Sequence, residues 1–140
     1  SAMMDMTLSA FLDYCERGQD ERPLYLFERK YPTKCPDMKD EYAIPPHFDA
    51  DLMRVLGDTR PDYRWLIMGP ARSGSNFHVD PNCNFAWNAT VQGRKKWLMY
   101  PPHVKPPLEN GEVSLVQWFV KHYHEDNDSK SKRLEWVTLP

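Results

Sequence analysis

The sequence predicts an all-β core with helical additions, arranged as a sandwich or jelly roll. Three observations carry that class. Short runs of apolar and aromatic residues alternate with polar ones through the middle and end of the chain. Thirteen prolines interrupt the chain, and with five tryptophans they point to rigid turns and aromatic packing, not a simple helical bundle. Helical periodicity is confined to three brief segments. At 140 residues the chain has room for one domain and one core.

The elements follow in order. Thr7 caps a helix over Leu8 to Arg17, where Leu8, Phe11, Leu12 and Cys15 recur at helical spacing and Gly18 supplies the stop. Leu24-Tyr25-Leu26-Phe27 reads as a short strand. Tyr31 to Pro46 carries Pro32, Pro36, Pro45 and Pro46 and reads as an ordered connection or surface arm. A second helix is expected from Asp49 to Leu56, with Leu52, Val55 and Leu56 as its apolar stripe and Gly57 as its end. Arg64 to Gly69 reads as a strand, and Pro70 to Ser75 as a turn.

Asn76 to Asp80 is expected as another strand, with Phe77 and Val79 packed on one face and His78 and Asp80 on the other. Phe85 to Val91 is expected as the next. Gln92-Gly93-Arg94 marks a turn, and Lys95 to Tyr100 returns as a strand. Pro101-Pro102 and Pro106-Pro107 stop the sheet pattern. Ser114 followed by Gln117 forms a capping box for a helix through about Tyr123. Glu135 to Leu139 begins one more strand. About five strands are too few for a closed double-sheet barrel, so the remaining strands are expected from further chain or from another copy. No repeat or low-complexity linker divides the sequence. It reads as a helical and connecting region, 1–60, followed by an incomplete jelly-roll half, 61–140.

Charge and cysteine content narrow the function. Eighteen Lys and Arg against twenty Asp and Glu give a net charge of -2, which does not indicate a broad nucleic-acid grip. Lys130, Lys132 and Arg133 follow Glu125, Asp126 and Asp128, and read as a solvated loop, leaving nucleic acid at most an indirect partner. No apolar run is long enough to span a bilayer, and no membrane partner is expected. No signal-peptide pattern opens the chain, and Ser1-Ala2-Met3 reads as a processing scar. Cys15, Cys35 and Cys83 make neither a paired disulfide framework nor a close metal knuckle, which fits a reducing compartment.

His78-Val79-Asp80 is the sharpest chemical constellation. On an extended chain residues i and i+2 share a face, so an imidazole nitrogen and a carboxylate oxygen stand side by side, suited to Fe(II) or a similar divalent ion. The alternative is a surface histidine hydrogen-bonded to an aspartate. Lys95 offers a point charge for a small dicarboxylate, or is a solvated surface group. Asn88 and Ser75 offer hydrogen bonds around the same ligand, and Tyr25 a phenol. Together these groups describe a metal, a two-point oxo-acid chelator and a carboxylate anchor.

The run from Tyr63 to Pro81, with Gly69-Pro70-Ala71-Arg72-Ser73-Gly74-Ser75-Asn76-Phe77-His78-Val79-Asp80 at its centre, resembles a jumonji-C domain. Ala86 to Trp97 continues the resemblance in register, and Pro23 to Phe27 and Pro45 to Gly57 fit upstream regions. The type is that of the lysyl hydroxylase once described as the phosphatidylserine receptor, with its fungal and protist relatives. The resemblance runs from about Arg22 to Pro140. It implies a cupin-like, double-stranded β-helix, of which 61–140 is the N-terminal half. It implies that His78 and Asp80 are the first two Fe(II) ligands, and that Lys95 anchors the distal carboxylate of 2-oxoglutarate. Ser75 takes the place of a threonine beside that carboxylate, and Asn88 and Tyr25 line the co-substrate pocket. Trp87 is a packing residue.

The same resemblance implies a third ligand, a histidine on a late strand. Trp136 to Pro140 looks like the approach to it, which puts that histidine beyond Pro140. His122 and His124 are poor substitutes, being two apart near a helix end. His103 and His47 lie beside prolines as turn or surface groups. The expected activity of the complete protein is Fe(II)- and 2-oxoglutarate-dependent oxygenation by O2 of a protein substrate, with hydroxylation of lysyl side chains first and demethylation of N-methylated lysine or arginine second. A chain limited to 1–140 is expected to be catalytically incompetent as a monomer, with a homo-oligomer or a complementing C-terminal segment needed for activity. A truncated or swapped non-catalytic scaffold is the competing reading, and a metal-dependent isomerase or small-molecule cupin a third. The resemblance implies a nuclear protein, with the cytoplasm as the alternative.

Overall fold

The computed structural model describes residues 3–106, 108, 113–124 and 133–140. The charged loop before Arg133, the Ser1-Ala2 scar and Pro107 lie outside the described residues. The chain forms two compact units. The first holds the described residues up to Gly18 with Pro23–Ala71, and the second holds Gln19–Arg22 with the described residues from Arg72 to Pro140.

In the first unit, helix α1 spans Leu8–Arg17, as its periodicity predicts. The Thr7 hydroxyl accepts from the Ala10 amide at 3.2 Å and satisfies one of the orphan donors of the first turn. Gly18 closes the helix, its amide donating to the Tyr14 carbonyl at 2.7 Å. A Cβ at Gly18 would stand 2.8 Å from the Tyr14 ring, so the close approach of ring and backbone requires glycine. The Tyr14 hydroxyl accepts from the Leu24 amide at 2.9 Å. Phe11 is buried.

Strand β1, Leu26–Glu28, pairs antiparallel with β2, Leu66–Met68, setting Leu26 opposite Met68 and Glu28 opposite Leu66. Both strands are shorter than the sequence pattern. Phe27 meets Trp65 edge to face at 4.2 Å. The intervening connection folds into a short helix α2, Tyr31–Lys34, and 3₁₀ turns at Pro36–Asp40 and Pro46–Phe48. Each carries a proline in its first two positions, where the missing N–H has no helical partner to lose.

The expected helix Asp49–Leu56 is instead a 3₁₀ helix at Leu52–Thr59. Asp51 caps it, its carboxylate accepting from the Met53 amide at 3.1 Å while binding both terminal nitrogens of Arg60 at 2.6 and 3.0 Å. That tie across nine residues favours the tighter winding. Gly57, at φ 50° and ψ -130°, is non-helical and breaks the element into two short turns, so the first ends at Gly57 as the sequence predicts. Three residues per turn align Leu52 with Val55 and rotate Leu56 away, and the stripe stays exposed, Leu52 at 86% and Val55 at 87%.

In the second unit, β3, Lys95–Met99, pairs antiparallel with β4, Leu134–Thr138, close to the sequence expectation. Trp97 lies opposite Trp136, and their rings stack at 6.0 Å. Helix α3 spans Leu115–Lys121, with the Gln117 amide donating to the Ser114 hydroxyl at 2.9 Å. Ser114 is itself buried and donates to Glu21 at 2.5 Å, so its hydroxyl is satisfied as donor and acceptor. Trp118 is the buried apolar centre of this unit.

Two expected strands are corrected. Asn76–Asp80 and Phe85–Val91 join no ladder, and four strands in two two-stranded sheets are formed among the described residues. Alternation reports which side chains share a face, but a ladder also needs a partner backbone. None of the described residues supplies one here. Val79, expected to pack beside Phe77, is 75% exposed, and Phe85 and Val91 are exposed as well.

Candidate metal and oxo-acid site

The site is built on one aromatic anchor in the second unit. Phe77 packs edge to face against Trp118 of α3 at 5.3 Å and Tyr100, just beyond β3, at 5.2 Å. Upstream, Gly74 brings its backbone against the first residue of α3: a Cβ there would lie 3.2 Å from Leu115 Cδ1. The chain is thus held on both sides of Ser75, and the next two residues after Phe77 project from a fixed point. Downstream, Cys83 takes φ 52° and its amide donates to the Asp80 carbonyl at 2.9 Å, closing a 3₁₀ turn over Pro81–Cys83.

On this segment His78 Nε2 stands 3.3 Å from Asp80 Oδ1. The i, i+2 relation read from the sequence therefore holds without a ladder. His78 Nδ1 lies 2.7 Å from the Asn76 carbonyl oxygen, which can only accept, so Nδ1 carries the proton. In the neutral imidazole Nε2 then presents a lone pair to the carboxylate. That arrangement lets the two atoms face a single cation. Both side chains are about half exposed, leaving the pair open to an incoming ligand.

Lys95 opens β3 and is half-buried. Burial pushes its ammonium below the ordinary lysine range, and the Asp80 carboxylate partly opposes that shift. Its Nζ stands 4.0 Å from the centre of the Trp97 ring, two residues along the same face. Asp80 thus lies within electrostatic reach of both His78 and Lys95. Asn88 and Ser75 belong to the same unit and are exposed. Asn88 sits two residues before Thr90, whose hydroxyl is 2.8 Å from that of Thr138 on β4. Tyr25 belongs to the first unit, half-buried directly before β1. Among the described residues no third His, Cys, Asp or Glu joins His78 and Asp80 in a three-donor group.

The opposite face of β3 carries a cluster that single residues did not reveal. Glu135 accepts from the Tyr123 hydroxyl at 2.7 Å, from Lys96 at 3.0 Å and from Arg133 at 2.8 and 2.5 Å. Arg133 is almost fully covered and stands over the rings of Trp118 and Tyr123. Burial pushes the Glu135 carboxyl up, but the hydrogen bonds from Tyr123, Lys96 and Arg133 outweigh it and hold it at about 2. The pairing of Leu98 with Glu135 would have been the signal, and it needs the register of β3 against β4.

The profile of the cupin-like domain family matches residues 1–139. The chain belongs to the cupin-like domain family. It is 43% identical over 143 residues, 96% of its length, to the arginine-specific demethylase JMJ22 of Arabidopsis thaliana. It is 38% identical over 69% of its length to the bifunctional arginine demethylase and lysyl-hydroxylase psr-1 of Caenorhabditis elegans. It is 40% identical over 56% of its length to the human 2-oxoglutarate and iron-dependent oxygenase JMJD4. These relatives place the cupin-like chain among the jumonji-C domains. The match extends through α1, upstream of where the motifs begin. The chain spans 28%, 25% and 19% of these relatives' own lengths.

Proposed function

We propose that the protein containing this cupin-like domain is an Fe(II)- and 2-oxoglutarate-dependent oxygenase of protein side chains, with His78 and Asp80 as two of its metal ligands. The observation that carries the reading is the 3.3 Å separation of His78 Nε2 and Asp80 Oδ1, with Nδ1 tied to the Asn76 carbonyl. For metal–ligand bonds of about 2.1 Å at right angles, two neighbouring donors stand roughly 3.0 Å apart. The pair fits that spacing, and a backbone hydrogen bond on the far ring nitrogen is the usual means of fixing a metal-binding imidazole. Bound Fe(II), with 2-oxoglutarate and O2, supplies oxidative decarboxylation to succinate and CO2 and transfer of one oxygen atom to a substrate C–H.

This chain's residues bind and orient. His78 and Asp80 would hold the metal. Lys95, partly desolvated on the rigid β3, meets the distal carboxylate of 2-oxoglutarate, and Ser75 and Asn88 add hydrogen bonds. Exposed Val79, Phe85 and Val91 support a jelly roll that further strands cover, supplied by a complementing segment or a second copy.

The substrate reading is a lysyl side chain, supported by the likeness to a bifunctional demethylase and lysyl-hydroxylase. The longer match to an arginine-specific demethylase favours a second reading, hydroxylation of an N-methyl group with release of formaldehyde. Full-length protein should be incubated with Fe(II), 2-oxoglutarate, O2 and peptides carrying either lysine or methylated arginine. Mass spectrometry separates the readings: one oxygen gained on lysine for the first, one methyl lost with formaldehyde for the second. Oxo-acid consumption uncoupled from both peptides would count against a protein substrate.

A further inference from the structure

A concavity lies within the first unit, apart from the His78–Asp80 segment in sequence. It is open to solvent, holds about 220 Å³ and is lined by Arg29, Thr33, Lys39, Arg60, Tyr63 and Arg64, with Asp62 as its acidic member. We propose that it binds a phosphate monoester as the dianion.

The argument begins with charge. Four cationic side chains line the cavity. Arg60 is neutralised by the two-point pairing with Asp51. Asp62 reaches Arg29 at 3.9 Å, through side chains that are each about half exposed or more. Lys39 and Arg64 pair with no carboxylate among the described residues. Four cations against Asp51 and Asp62 leave a net charge of two. A phosphate monoester carries about -1.5 to -2 at neutral pH and matches it, whereas a carboxylate or a phosphodiester carries one charge.

Geometry adds to the charge. The Arg64 guanidinium is fixed without a carboxylate, donating to the Tyr63 hydroxyl at 3.0 Å and to the Lys39 carbonyl at 3.3 Å. The Arg60 guanidinium lies 3.4 Å over the Tyr63 ring, its side chain 16% exposed. Asp51 occupies its two terminal nitrogens, but its Nε is buried and has no acceptor among the described residues. The Arg60 guanidinium is thereby held in place at the cavity wall, with its Nε closed off from the cavity. The phosphoryl oxygens meet Arg29, Lys39 and Arg64, and the Thr33 hydroxyl can donate to the same group. Arg60 and Arg64 are thus fixed by the fold, while Arg29 and Lys39 remain exposed and available to a ligand.

The test uses the full-length protein and two probes of the shared chemistry, inorganic phosphate and a phosphoserine peptide, followed by calorimetry. One phosphate per chain is expected. The peptide should lose about tenfold or more in affinity when glutamate replaces phosphoserine. Arg29→Gln with Lys39→Gln should weaken both probes about tenfold, while Arg29→Lys with Lys39→Arg stays near wild type. Tighter binding of the peptide than of free phosphate identifies a phosphorylated protein as the source, and the reverse identifies a small phosphate. Failure of both probes to bind at millimolar concentration would overturn the proposal. So would equal affinity in the Gln pair, or a single-stranded oligonucleotide that binds here more tightly than the phosphopeptide.

Discussion

Phe77 and Trp118 meet edge to face with ring centroids 5.3 Å apart, which fastens the residue before His78 to the one buried apolar side chain of α3. The metal-binding candidates thus inherit their position from an aromatic contact between a loop and a helix, not from a sheet ladder. Phe77→Ala should cost about 2–3 kcal/mol, somewhat under the usual loss for a fully buried phenylalanine, because Phe77 is only half covered. Urea unfolding would measure it. Manganese(II) affinity, read as a metal surrogate by electron paramagnetic resonance, should fall as well, since Nε2 loses its fixed point of origin. Phe77→Leu should recover most of the stability and part of the affinity.

Lys95 is the test of the oxo-acid anchor. Lys95→Met keeps the stem over Trp97 and removes the charge. Its loss should raise the 2-oxoglutarate requirement about 10- to 100-fold, the scale of a charge-assisted hydrogen bond. Metal affinity should change by much less. Titration of both ligands against the variant checks the split, and an unchanged co-substrate requirement would remove Lys95 from the site.

These two predictions rest on parts of the chain that differ in how openly the sequence shows them. The caps at Thr7 and Ser114 were legible because each acts on an amide three residues away. The pairing of His78 with Asp80 was legible for the same reason: i and i+2 are near whatever the rest of the chain does. The strand at Asn76–Asp80 was not, since its alternation is local but a ladder depends on a partner far away in sequence. The helix expected after Asp49 forms, broken at Gly57 as expected, but winds as 3₁₀ from Leu52, and the Asp51–Arg60 tie that flanks it spans nine residues and lies outside any local pattern. The Glu135 cluster draws on four residues from β3, the end of α3 and β4, and no window of sequence contains it.

That cluster makes a prediction about acid. The Glu135 carboxyl titrates at about 2 in the folded chain, below the ordinary glutamate value near 4.3. A depressed folded value means that the carboxylate stabilises the fold fully above pH 4.3. The contribution is lost as pH falls from there toward 2. Glu135→Gln should therefore lower stability at neutral pH and flatten the acid side of the stability profile in that window. Chemical denaturation at a series of pH values would show it. Parallel curves for wild type and variant would contradict the assignment.

Thr138 on β4 joins β3 and the segment at Thr90 through one hydroxyl, which contacts Thr90 at 2.8 Å and accepts from the Trp97 indole at 3.2 Å. Thr138→Val keeps the shape and leaves both partners unsatisfied, at a cost of about 1–2 kcal/mol. Amide exchange around Asn88 and Thr90 should speed up, because this contact tethers their segment to the β3–β4 pair. Thr138→Ser should restore the protection, and no change in exchange in the valine variant would show that the segment is held elsewhere.

The central claim is that His78 and Asp80 bind the metal on which oxygenation depends. The most direct measurement is Fe(II) affinity and substrate-coupled succinate formation by the full-length protein, compared with His78→Ala and Asp80→Ala in the same background. Chelation should abolish wild-type turnover, and added Fe(II) should restore it. Each variant should stay folded, since both side chains are about half exposed, yet lose most of its Fe(II) affinity and all substrate-coupled succinate. Wild-type affinity and turnover in either folded variant would contradict the account.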